Sequence, residues 1–185
     1  MVIFTIYHFW QDISDFWNTG GTFAEGMTNI GNPIKIVSAT QAKTSHSGVA
    51  SRIVRALDFT DWNDRWPGGK CTHTDPSSWL KAVLDGRYHV KEIQLLNRRD
   101  CCSDRLRNAK VYVLDGEKKH LCGTVPSWAK QGWYTVGCPA EAVGNTIEVS
   151  TEDTGKHLTI CGMKVFGVAP TPPNAGAVGA TDAGS

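Results

Sequence analysis

Apolar and polar residues alternate along this chain in short stretches with a period of two. Tyr88 to Asn97 sets Val90, Ile93 and Leu95 among polar neighbours. A second run, Asn108 to Leu114, ends in Asp115-Gly116, a pair that favours the tight turn of a hairpin. Thr146 to Ser150 alternates throughout, and Leu158 to Phe166 closes the set. A period of two sends successive side chains to opposite faces of a strand, so each run can bury one face and wet the other. Ala50 to Leu57 has room for one helical turn, and no amphipathic helix of useful length appears elsewhere. Many short strands separated by turn residues predict an all-β chain folded as a single antiparallel β-sandwich or jelly roll.

The two ends lie outside this pattern. Residues 1–28 are aromatic, then glycine-rich, without steady periodicity, and are an extension of unknown role. Residues 169–185 are rich in Pro, Gly and Ala, a composition that cannot bury a core and reads as a disordered tail or linker. The chain has 185 residues, the length of one domain with tails. Its 19 Lys and Arg nearly balance 18 Asp and Glu, which argues against a nucleic-acid partner or an anionic membrane surface. No apolar run approaches the length of a membrane span. Six cysteines without a Cys-x-x-Cys spacing fit disulfides better than zinc, and so an oxidising, extracellular setting. The segment Met1 to Trp10 makes a poor signal peptide, and an incomplete or altered N-terminus of a secreted protein is the expectation.

Candidate chemistry concentrates at the end of the first run. Asn97-Arg98-Arg99-Asp100-Cys101-Cys102-Ser103-Asp104-Arg105 gathers three arginines, two aspartates and two adjacent cysteines. Neighbouring Cα atoms sit about 3.8 Å apart, below the usual disulfide window of roughly 4.4–6.8 Å. A bond between Cys101 and Cys102 closes almost no loop, so it adds little entropic stabilisation and serves best as a rigid object. The alternative is that each stays free or pairs elsewhere, and spacing alone does not choose. By themselves Arg98 and Arg105 read as a surface ion-pair cluster with Asp100 and Asp104.

Together with Cys71-Thr72-His73-Thr74, this string resembles the F-type lectin (fucolectin) family. The family pattern is a His, then Arg-x-Asp, then four residues and Arg or Lys; here these are His73, Arg98, Asp100 and Arg105. Gly48 to Arg52, Ala56 to Asp58, Trp79, Tyr88 to Val90 and Leu158 to Cys161 extend the likeness over residues 29–168. The spacing from His73 to Arg98 is slightly short, with the shortening placed in the Asp75 to Ser78 turn. The resemblance implies a discoidin-like jelly roll and three disulfides: Cys71–Cys161, Cys101–Cys102 and Cys122–Cys138. On a chain-entropy model the long loop is worth about 4–5 kcal/mol and the short one about 3.

The resemblance also implies a ligand, terminal α-L-fucose, and no catalysis. A neutral sugar offers hydroxyls, a ring oxygen and C–H faces. Two guanidinium forks, from Arg98 and Arg105, can converge on those oxygens, each hydrogen bond worth about 1.5–3 kcal/mol. His73 adds a third polar contact, and Asp100 holds a guanidinium in place. A Cys101–Cys102 ring supplies an apolar plate for the sugar, and Trp66 a wall for its methyl. The reading requires that residues 73, 98 and 105 face one another and that sulfurs 101 and 102 be linked. Relatives of this kind bind a structural calcium, for which Asp58 and carbonyls near Thr60, Lys70 and Cys161 are the candidates. Arg55 and Gly162 replace an expected carbonyl donor and an acidic ligand, so calcium is expected to be weak or absent, and no other cofactor is expected. The expected partners are fucosylated glycans, with avidity from a homo-oligomer or tandem domains. Two rival readings are a cell-surface protein-interaction domain with weakened sugar binding, and redox chemistry at Cys101-Cys102. His8, His46, His89, His120 and His157 are given no role.

Overall fold

A computed structural model describes residues 31–54 and 70–170. Among the described residues seven strands form, in chain order: β1 Ile36–Gln41, β2 Trp79–Asn97, β3 Lys110–Asp115, β4 Lys118–Thr124, β5 Gly132–Gly137, β6 Val143–Ser150 and β7 Gly162–Val168. Every paired strand is antiparallel to its neighbour. Two 3-10 turns, Ala50–Ile53 and Ser103–Leu106, are the helical elements among the described residues. The helical turn expected over Ala50 to Leu57 is therefore present as a 3-10 turn, and its last three positions lie outside the described residues.

The long strand β2 organises the sandwich, because its two halves belong to different layers. Trp79 to Leu84 pairs with β1 and with β6, and that layer continues through β3 to β4. Glu92 to Leu96 pairs with β5 on one side and β7 on the other. The ladder breaks register between Val83 and Tyr88, and again between Val90 and Glu92. The second irregularity has a visible consequence. Leu80, Ala82, Leu84 and Val90 face the core from even positions, and Ile93 and Leu95 from odd ones. An extra residue in a strand swaps its faces, so a bulge here keeps both halves apolar inward.

Ile147 and Val149 of β6, Val111 and Val113 of β3, and Met163 and Val165 of β7 complete the core. The Asp115-Gly116 turn joins β3 to β4, with Gly116 at φ +60°, a conformation glycine adopts without penalty. Two disulfides pin the frame: Cys122–Cys138 ties the segments of β4 and β5, and Cys71–Cys161 packs with Leu96 and Trp133 in a smaller cluster.

Pairing decides which loops meet. Asn97 at the end of β2 sits opposite Gly132 at the start of β5, and Leu96 sits opposite Gly162 at the start of β7. The segments that follow β2, precede β5 and precede β7 therefore share one end of the sandwich.

Candidate functional site

The site is built on Asn97, whose side chain is fully buried. Its Nδ2 donates to Ser103 O at 2.7 Å and to Lys130 O at 2.6 Å, and its Oδ1 accepts from the Arg98 amide at 2.8 Å. One amide thus holds both ends of the loop that carries Arg98 to Cys102. The loop then turns through Cys102 at φ 56°, a left-handed conformation, into the 3-10 turn Ser103–Leu106. Leu106 is buried in the core and anchors that turn, which leaves Arg105 on the pocket side.

Arg98 and Asp100 form a two-pronged ion pair, Nε to Oδ1 at 2.6 Å and Nη2 to Oδ2 at 2.8 Å. Such a fork fixes a guanidinium in both position and plane. The hydrogen bonds from Arg98 hold the Asp100 carboxyl below its ordinary range, and the same bonds push the Arg98 guanidinium further up.

His73 arrives from a separate segment. Cys71 to Thr74 runs beside Leu158 to Cys161, with Thr72 N donating to Ile160 O at 2.8 Å and Thr74 N to Leu158 O at 3.1 Å. On its other side His73 N donates to Gly48 O at 2.7 Å, and Ser45 N donates to His73 O at 2.8 Å. Gly48 is needed for this approach: a Cβ there would stand 2.4 Å from the His73 Cβ and 2.5 Å from its backbone nitrogen. His73 is 6% exposed, and its Nε2 lies 2.9 Å from Arg105 Nη1. A guanidinium has only donors, so the imidazole nitrogen accepts and the ring proton sits on Nδ1. Burial, followed by Arg105 and two neighbouring imidazoles, lowers His73 to about 4, which keeps the ring neutral near neutral pH.

Arg98, Asp100, Arg105 and His73 line a cavity of about 450 Å³ together with Cys101, Cys102 and His46. The predicted convergence of residues 73, 98 and 105 is present. The predicted link between the sulfurs is not: Cys101 and Cys102 are thiols in this structure. The link is therefore not the requirement it was expected to be: His73, Arg98 and Arg105 come together around two thiols. A hydrogen bond from Cys102 is the main reason the Cys101 thiol is raised, the reverse of what an activated nucleophile needs.

His46 was assigned no role from sequence, and it lines the pocket. Its ring centroid lies 4.6 Å from that of His73. The contact arises because the 45–48 turn pairs with residue 73, which no local pattern announces. Trp66, the expected methyl wall, lies outside the described residues, as do the calcium candidates Asp58 and Thr60 and the neighbouring Arg55. Among the described residues no group of three His, Cys, Asp or Glu side chains is placed to hold a metal. Of the proposed calcium donors only Lys70 and Cys161 are described, and the Cys161 sulfur is bonded to Cys71.

The sequence profile of the NedA-like, galactose-binding domain, of F5/F8 type C, matches residues 60–160. Fucolectin of Anguilla anguilla is 27% identical over 150 residues, 76% of this chain and 93% of that one. The chain belongs to the F-type lectin (fucolectin) family. Fucolectin-3 of Anguilla japonica is 27% identical over 114 residues, covering 56% of this chain and 61% of the relative, so the match spans under two thirds of that lectin's length. An F-lectin (fucolectin) from striped bass (Morone saxatilis) serum superposes with a TM-score of 0.65 at 25% identity, over 78% of this F-type chain and 52% of that one. That likeness agrees with the all-β sandwich built above from strand pairing.

Proposed function

We propose that this chain is a secreted, non-catalytic lectin that holds terminal α-L-fucose in the pocket of Arg98, Arg105 and His73. The observation that carries the reading is that two guanidinium groups converge in one open cavity, each braced by a different partner. Uncharged ring sugars are rich in acceptors, and braced guanidinium donors meet them without reorganising. With Nε2 of His73 taken by Arg105, the polar atom His73 can offer a sugar hydroxyl is Nδ1–H. Asp100 braces Arg98 rather than reaching for the ligand. Cys101 and Cys102 give the pocket an apolar patch; on oxidation, two thiols losing two protons and two electrons to a disulfide oxidant, they become the rigid plate that a C–H face packs against. Trp66 is proposed as the wall beside the sugar's methyl. Calcium, if held near Asp58, Thr60, Lys70 and Cys161, would be structural and take no part in sugar contact.

One shallow site gives weak binding, and useful affinity comes from repeating it in an oligomer or in tandem domains. A glycan array probed with the oxidised protein tests the assignment. Retention on structures ending in α-L-fucose, and none on galactose-ended counterparts, is the expected pattern. A blank array beside tight capture by a protein ligand selects an interaction domain on the same scaffold.

A further inference from the structure

We propose that His157, which does not line the pocket, is a positioning residue of the sugar site, and that sugar affinity falls in acid through His73 at a pH set by its crowding against His157 and His46. The proposal rests on the fucose reading above. Its basis is a stack of three imidazoles contributed by three segments. The ring of His73 lies 4.6 Å from that of His46 and 4.6 Å from that of His157, and the outer two are 5.9 Å apart. His157 comes from the segment that precedes β7, His73 from Cys71 to Thr74, and His46 from the turn after β1.

Hydrogen-bond directions fix what each ring can do. His157 Nδ1 lies 2.7 Å from Thr74 O, and a carbonyl only accepts, so this nitrogen carries a proton and donates. That bond ties the His157 ring to the backbone one residue beyond His73. It leaves Nε2 as the nitrogen free to take a second proton without breaking the tie. The ring so held forms one wall of the slot in which the His73 ring lies. His73 in turn presents its Nε2 lone pair to Arg105, and that bond aims one of the two sugar-facing guanidiniums. The chain of control runs from His157 to His73 to Arg105.

The same geometry is sensitive to protons. A proton on His73 Nε2 would set a donor against a donor, and Arg105 would lose its brace. The rings of His157 and His46 stand within one ring's width of His73 and, with Arg105 and Arg98, oppose that proton. The carboxylates on the surrounding elements are each engaged: Asp100 with Arg98, Asp75 with Lys43, and both Asp104 and Asp153 with Lys156. The thiols of Cys101 and Cys102 complete the titratable groups that line the pocket. His73 is already lowered to about 4 by burial and by Arg105, His157 and His46, which is the electrostatic signature of this crowding.

Titration calorimetry with L-fucose from about pH 7.5 down to about pH 3, on the parent, His157→Gln and His157→Ala, tests the proposal. The parent is expected to lose about tenfold in affinity across that range, the cost of one charged-donor hydrogen bond. Glutamine keeps a donor for Thr74 O but removes an imidazole that opposes protonation of His73, so His157→Gln should bind about threefold more weakly near neutrality, and its acid loss should begin at higher pH than the parent's. His157→Ala removes the wall and should bind more weakly still. Ring-nitrogen NMR of the free protein gives a readout that needs no sugar. His73 should show a protonated Nδ1 and a bare Nε2, and its titration midpoint should rise in His157→Gln. A His73 ring protonated on Nε2 near neutral pH, or a His157→Gln profile superposable on the parent's in both experiments, overturns the proposal. A parent that takes up no fucose at about pH 7.5 but shows the expected His73 signals sinks the fucose reading instead, leaving the coupling of the three rings to Arg105 in place.

Discussion

Arg98 and Arg105 share one pocket and are braced in opposite ways. Arg98 is held by a carboxylate two residues along the chain, in a fork of two short bonds. Arg105 is held by a neutral imidazole 32 residues away, through a single bond. The first brace is local and charged. The second depends on a backbone mesh of three segments that must all be in place. One side of the site should therefore tolerate disturbance of the fold, and the other should not.

Breaking the mesh should have the largest effect. Gly48→Val drives a side chain into the backbone of His73, which costs roughly 1–3 kcal/mol of stability in an overpacked site. Chemical denaturation should show that loss, and fucose affinity should fall by more than stability alone explains. Breaking the local brace comes next. Asp100→Asn removes the charge that holds Arg98 and should weaken fucose binding by about tenfold, with the denaturation midpoint barely moved. A chain in which Asp100→Asn unfolds the protein and Gly48→Val leaves it sound would reverse the comparison.

The third contrast separates the two braces by pH. His73 is lowered to about 4 in the fold from an ordinary 6.5. As pH drops below 6.5 the unfolded chain takes up the proton first, so this part of the stability is lost between about pH 6.5 and about 4. It amounts to about 2 kcal/mol once solvent screening is allowed for. Asp100 is lowered from 3.8, so the contribution of its pair with Arg98 is intact above that value and is lost only below it. Melting curves of the parent between pH 7 and about pH 4 should fall, and those of His73→Gln should fall less. Equal slopes would show that His73 is not held neutral by its surroundings.

The difference between the braces also explains what could be read in advance. Arg98, Asp100 and Arg105 lie on one continuous string, and the run Val90, Ile93, Leu95 that leads into it alternates visibly. Val111 and Val113, and Ile147 and Val149, mark their strands in the same way. β1, β4 and β5 carry no such mark. The half-buried and exposed positions of Lys118–Thr124 and Gly132–Gly137 blur the alternation. The bulge at Val90 to Glu92 reassigns which parity faces inward, and only pairing reveals it. His46 and His157 were invisible because each reaches His73 through backbone hydrogen bonds between distant segments, which leave no spacing in the sequence. The two thiols show the converse: adjacency was obvious, and bonding was not.

The account turns on two guanidinium groups acting together on one sugar. Calorimetric titration of α-L-fucose into the parent, Arg98→Ala and Arg105→Ala tests that most directly. Saturable one-to-one binding by the parent, and a loss of about a hundredfold or more in each variant, is the predicted result. Variants that bind fucose as the parent does would contradict it.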